Sequence, residues 1–117
     1  SAHKIVGPWL LNRNRDVLYT LCDSENLWER RIAVMSTMHF IKHDDYADAL
    51  ALSVALLSDE QDLIHKITGW MLREVGKRDI NALTGFLDAH VSQMPRTMLR
   101  YAIEKLPPDA RKDYMTR

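Results

Sequence analysis

Four side chains in this 117-residue sequence combine charge and aromaticity in a way that suits an anionic ligand: Arg31, Lys66, Trp70 and Arg73. At 100° per helical residue, Leu27, Val34, Met35 and Met38 fall around Arg31, so its guanidinium stands within an apolar arc. That placement costs desolvation unless an anion meets the cation, and a planar five-donor group matches either a phosphate or a carboxylate. The partner is then an external anion or an internal acid such as Glu60 or Glu74. Further along, Lys66, Trp70, Arg73 and Lys77 run down one flank of a segment whose apolar stripe is Leu63, Ile64, Ile67, Met71 and Val75. An indole at that border can stack on a sugar or base while the cations hold phosphates. It can equally pack a seam between helices, leaving the charges solvated.

The remaining chemistry-bearing residues have plainer readings. His39 and His43 are four apart with Asp44 and Asp45 beside them, but the Asp pair suits a helix cap and His43 a helix end, so no metal site is expected. Asp16, Asp23, Asp44, Asp59 and Asp79 all have turn or cap explanations. There is no Ser-His-Asp order, Gly-rich phosphate loop or cysteine cluster, and no cofactor is expected. Cys22 reads as a small buried residue rather than a nucleophile. Trp9, Trp28, Met35 and Met38 read as core. Gly69 costs about 1 kcal/mol in a helix interior, which implies a close approach there, most simply by a neighbouring helix.

The elements that must position these residues are helices throughout, because apolar residues recur at helical spacing and strand-like alternation is absent. Pro8 suits a first turn or a kink, and Asn12-Arg13-Asn14 a turn before a helix from Asp16 to Leu21. Asp23-Ser24 offers a cap for a helix from Glu25 to Ile41; Asp44-Asp45, with Asp48, opens one through Leu57. Ser58-Asp59-Glu60-Gln61 forms a capping-box pattern for a helix from Asp59 to Val75, closed by Gly76. Asp79 caps the next helix, to about Ser92; Pro95 starts another, and Pro107-Pro108 stops that one before a short helix through Tyr114. About eight helices with short connections follow. Trp28-Glu29-Arg30-Arg31-Ile32-Ala33, Leu63-Ile64-His65-Lys66-Ile67-Thr68 and Met98-Leu99-Arg100-Tyr101-Ala102-Ile103 recur at equal offsets in the chain. That repetition, with two helices per unit, predicts an all-α solenoid over a closed bundle.

Bulk properties narrow the role. Sixteen basic and sixteen acidic residues cancel, so nucleic-acid binding would have to arise from local clustering. The single cysteine excludes an internal disulfide, and no apolar run is long enough to cross a bilayer; a cytoplasmic location without membrane contact is the default. The start, Ser1-Ala2-His3-Lys4, has neither Met nor an apolar leader and reads as an interior start.

The segments Ile5-Val6-Gly7-Pro8-Trp9-Leu10-Leu11, Asn26-Leu27-Trp28-Glu29-Arg30-Arg31-Ile32-Ala33, Asp62 through Lys77, and Met94-Pro95-Arg96-Thr97-Met98-Leu99-Arg100-Tyr101-Ala102 together resemble the DNA alkylation repair family of AlkD type. The resemblance implies HEAT-like repeats and excision of cationic N3- or N7-alkylated purines from double-stranded DNA without a metal. It implies that Arg31 matches a cleft arginine, that Trp70 matches an aromatic contacting DNA at the lesion, and that Arg73 lies on the same DNA-facing helix; Lys66 follows from its shared flank. The family's catalytic carboxylate belongs to a Trp-Asp-x-x-Asp pattern before the Gly-Pro-Trp segment, and residues 1–8 do not contain it. The expectation is a single C-terminal helical-repeat segment carrying the DNA platform, with no catalytic residue of its own. A truncated array would expose an apolar end, through which a non-native dimer could form. The rival expectation is a non-catalytic HEAT-like module that binds protein or undamaged nucleic acid.

Overall fold

A computed structural model describes residues 15–117; the expectations for Pro8, Trp9 and the Asn12-Arg13-Asn14 turn lie outside them. Among the described residues the chain is all-helical: α1 (Asp16–Cys22), α2 (Leu27–Lys42), α3 (Ala47–Ala55), α4 (Asp62–Arg78), α5 (Ile80–His90), a 3₁₀ turn (Val91–Gln93), α6 (Arg96–Ala102) and α7 (Pro108–Thr116). Helix α4 packs against α2 on one side and α6 on the other, with α3 and α5 as the returning helices between them. The repeated segments therefore fall on α2, α4 and α6, which run side by side as one layer of an α-solenoid.

Two apolar clusters hold the layers together, and α4 belongs to both. Its Ile64, Met71 and Val75 join Val34, Ile41 and Leu52 on the N-terminal side. Its Leu72 joins Leu83, Phe86, Met98 and Leu99 on the other. Each repeat thus buries one side against its predecessor and one against its successor, as stacked units must when none has a closed core of its own.

Local signals set most helix ends. Asp79 caps α5, accepting from the amides of Asn81 and Ala82. Pro107 and Pro108 open α7, where a missing amide hydrogen costs nothing. Other ends shift because side chains are claimed elsewhere. Asn26, rather than Asp23-Ser24, caps α2 by accepting from the Trp28 amide, while the Ser24 hydroxyl accepts from the Asn26 amide and donates to Glu29. Helix α3 begins at Ala47, later than Asp44-Asp45 implied, because Asp44 adopts a left-handed turn (φ 59°) and Asp45 and Asp48 bind Arg15. The capping box at Ser58 does not form, and α4 starts at Asp62. Asp59 instead binds Arg30 at 2.7 Å with a nearly buried carboxylate, and its backbone carbonyl bonds the His65 ring. Helix α4 also runs past Gly76 to Arg78; the missing side chain there admits Leu83, which would lie 2.5 Å from an added Cβ.

Gly69 has the compensation its position demanded. An added Cβ would sit 2.5 Å from the Met98 carbonyl oxygen and 2.7 Å from Tyr101 Cβ, so Gly69 is where α6 closes onto α4.

Candidate nucleic-acid interface

The register between repeats defines the candidate face. With a constant offset, Arg31, Lys66 and Tyr101 occupy equivalent positions on α2, α4 and α6, and Met35 is equivalent to Trp70. On α2 the buried residues Ala33, Val34, Thr37, Phe40 and Ile41 surround most of the cylinder, leaving an arc with Trp28, Arg31, Met35 and Lys42 toward solvent. On α4 the equivalent positions are Leu63, Lys66, Trp70 and Lys77; Arg73, equivalent to the buried Met38, and Asp62 lie on the same flank. Each of α2, α4 and α6 therefore carries a cation and an aromatic ring that are not fully buried: Arg31 with Trp28, Lys66 with Trp70, and Arg100 with Tyr101.

Arg31 is half-buried and makes no hydrogen bond or ion pair among the described residues. Neither internal acid considered for it is its partner. Glu74 faces Lys77 at 2.9 Å, and Glu60 is exposed on the turn before α4. Lys66 is exposed and makes a 3.4 Å ion pair with Asp62 one turn earlier, an arrangement that a competing anion displaces at small cost. Trp70 is half-buried with its inner edge on the N-terminal cluster; it serves the seam and still borders the basic flank.

Arg73 is the most committed of the four. It binds Glu104 across the α4–α6 seam and lies 4.0 Å from Glu74, while its buried Nε donates no hydrogen bond. Near it, a cavity of about 200 Å³ opens between the C-terminal ends of α4 and α6, lined by Arg73, Gly76, Lys77, Ala102, Lys105 and Leu106.

Two residues of this face escaped the sequence reading. Trp28, expected in the core, is 62% exposed, because as the second residue of α2 it stands on the solvent arc next to Arg31. Tyr101 is exposed and in register with Arg31 and Lys66. The same repeat offset that located the helices carries the signal for Tyr101. Met38 is buried as expected and Met35 half-buried.

The other candidates remain structural. The His39 and His43 rings lie 4.7 Å apart, and burial, reinforced by His43 and Lys42, pushes the His39 pKa down. The neighbouring carboxylates turn elsewhere, Asp44 toward Arg78 and Asp45 toward Arg15, and no metal-binding cluster occurs among the described residues. Burial pushes the Cys22 thiol up to about 11, which makes it a poor nucleophile. Among the described residues no helix is long and apolar enough to cross a membrane.

Fold and surface together define a helical-repeat protein whose α2, α4 and α6 carry cations and aromatic rings on their less buried sides. The family model for DNA alkylation repair enzymes matches residues 1–106, and the chain belongs to that family. No curated protein and no solved structure matches it. The family gives the chain a DNA repair role, with DNA as the substrate.

Proposed function

We propose that this chain is the DNA-holding part of a glycosylase that excises cationic N3- or N7-alkylated purines, and that its HEAT-like inner layer is the DNA platform. The observation that carries this reading is Arg31, a half-buried guanidinium with no partner among the described residues, in register with Lys66 beside Trp70. A cation with no partner among the described residues, on the solvent side of α2 beside Trp28, suits a ligand that brings its own negative charge. In this reading Arg31 and Lys66 hold phosphates, Trp70 borders the damaged nucleotide, and Arg73 joins them by exchanging Glu104 for a phosphate.

An alkylated purine already carries positive charge, so cleavage of its N-glycosidic bond releases a neutral base with the bonding pair. Positive charge develops on the sugar, and water captures it. Such a reaction needs electrostatic support at the sugar and a held duplex. No residue of this chain is assigned the first role; Arg31, Lys66, Trp70 and Arg73 are assigned the second.

Binding of the full chain to a labelled duplex, titrated between about 50 and about 200 mM salt, tests the reading, because phosphate contacts make affinity fall steeply over that range. Joint replacement of Arg31→Ala and Arg73→Ala is expected to weaken binding and flatten the slope by about 2 in log–log terms. Binding independent of salt would favour the alternative of a protein-binding module, to which the zero net charge and the Arg73–Glu104 pair also belong.

A further inference from the structure

The chain contains four tyrosines, all within the described residues, and three of them spend their hydroxyls on carboxylates. Tyr19 donates to Asp48, Tyr46 to Asp44 and Tyr114 to Asp88. Tyr101 breaks the pattern: its hydroxyl makes no hydrogen bond among the described residues, and the side chain is 38% exposed. Its backbone is nevertheless tightly placed, because Tyr101 Cβ lies against the gap that Gly69 leaves in α4, immediately beside Trp70. The neighbouring chain supplies Arg100 before it and Lys105 one turn after, both exposed. A phenol with a free donor on a tightly placed backbone, in register with two cations, is suited to an anionic oxygen.

We propose that the Tyr101 hydroxyl donates a hydrogen bond to a backbone phosphate of bound DNA, extending the row begun by Arg31 and Lys66 onto the third repeat. The proposal rests on the DNA-binding reading above and adds a residue to it. The ligand is the phosphodiester, so the contact is blind to sequence and to the lesion. It differs from its two neighbours in one measurable respect. A neutral phenol fixes the strand without neutralising a phosphate, so it strengthens binding while leaving counterion release nearly unchanged.

The test is anisotropy of a labelled undamaged duplex with the full-length chain carrying Tyr101→Phe, compared with wild type and Arg31→Ala across salt concentrations. Tyr101→Phe keeps the Cβ contact at Gly69 and removes only the hydroxyl. Its urea midpoint should match wild type, since no protein bond is lost. Affinity should fall roughly tenfold, the scale of a hydrogen bond to a charged group, with a parallel salt dependence, whereas Arg31→Ala should lower both affinity and slope. Wild-type affinity in Tyr101→Phe, alongside a weakened Arg31→Ala, would overturn the Tyr101 contact and leave the DNA platform standing. An affinity loss accompanied by a fallen urea midpoint would also overturn it, by showing that the hydroxyl serves the fold. Failure of wild type to bind duplex in a salt-dependent manner would sink the platform reading, and this contact with it.

Discussion

Arg15 and Arg31 carry the same group in neighbouring parts of the array, and the protein uses them in opposite ways. At the junction of α1 with α3, Arg15 reaches Asp45 at 2.8 Å and Asp48 at 2.7 Å, and its guanidinium stacks 3.9 Å from the centre of the Phe40 ring. Tyr19 donates to the second oxygen of Asp48, so that nearly buried carboxylate is satisfied on both sides. On the inner face of α2, Arg31 has no such company. The difference separates charges that hold the solenoid together from charges left for something else. Chain distance does not: Arg15 reaches 33 residues along the chain to Asp48, whereas Arg31 ignores Glu60, a similar distance away.

The contrast breaks most visibly if the junction is not structural. Asp48→Ala removes the shared acceptor of Arg15 and Tyr19 and leaves a half-buried cation with one carboxylate partner. The expected loss is roughly 2–3 kcal/mol, below the roughly 3–5 kcal/mol of fully buried pairs because Arg15 is partly solvated. Urea denaturation followed by circular dichroism measures it. A loss within the scatter of surface substitutions would place the junction among ordinary solvated ion pairs.

Next in size is the seam through which the inner face is built. Gly69→Ala gains about 1 kcal/mol of helix propensity, but its methyl meets the Met98 carbonyl oxygen, a backbone atom with little room to move. Overpacking of this kind costs about 1–3 kcal/mol, so a net loss of up to about 2 kcal/mol is expected. Gly85, where an added Cβ meets nothing, is the control: Gly85→Ala should be stabilising. If both substitutions stabilise, α6 does not close on α4 as described.

The junction also carries a pH signature. Burial first, and then the hydrogen bond to Asp48, raise the Tyr19 hydroxyl from the ordinary 10.0 to about 12. A raised folded pKa means that the native state holds the proton more tightly, so the stabilisation is complete below pH 10 and fades as pH climbs toward about 12. Unfolding midpoints should therefore decline across that window more steeply for wild type than for Tyr19→Phe. Parallel declines would mean that Tyr19 titrates alike in both states.

What the sequence made legible follows the same division between local and distant causes. Apolar periodicity located the helices, Asp79 and the two proline sites marked their ends, and Gly69 announced a close approach, because each is decided within a few residues. Asp59 was misread as part of a capping box because Arg30, 29 residues earlier in the chain, takes its carboxylate. The Arg15–Asp48 pair was invisible for the same reason. Trp28 was misassigned because its type suggests burial, whereas its position in the first turn of α2 decides otherwise. On α4, the helical wheel placed Lys66, Trp70 and Arg73 on one flank, as they lie in the structure. Their ion-pair commitments were not legible, since Glu104 reaches Arg73 only once α6 is docked.

The smallest expected effect is the most telling. Because Arg31 has no partner among the described residues, Arg31→Ala should change stability by no more than about 0.5 kcal/mol, the range of substitutions away from specific contacts. It should still reduce the salt slope of duplex binding by about 1. A group whose removal leaves the fold untouched while weakening binding is held for a ligand. If instead Arg31→Ala destabilises the chain as Asp48→Ala does, the guanidinium serves packing through its aliphatic stem. The distinction between the two arginines would then collapse, and with it the reason for placing DNA on this face.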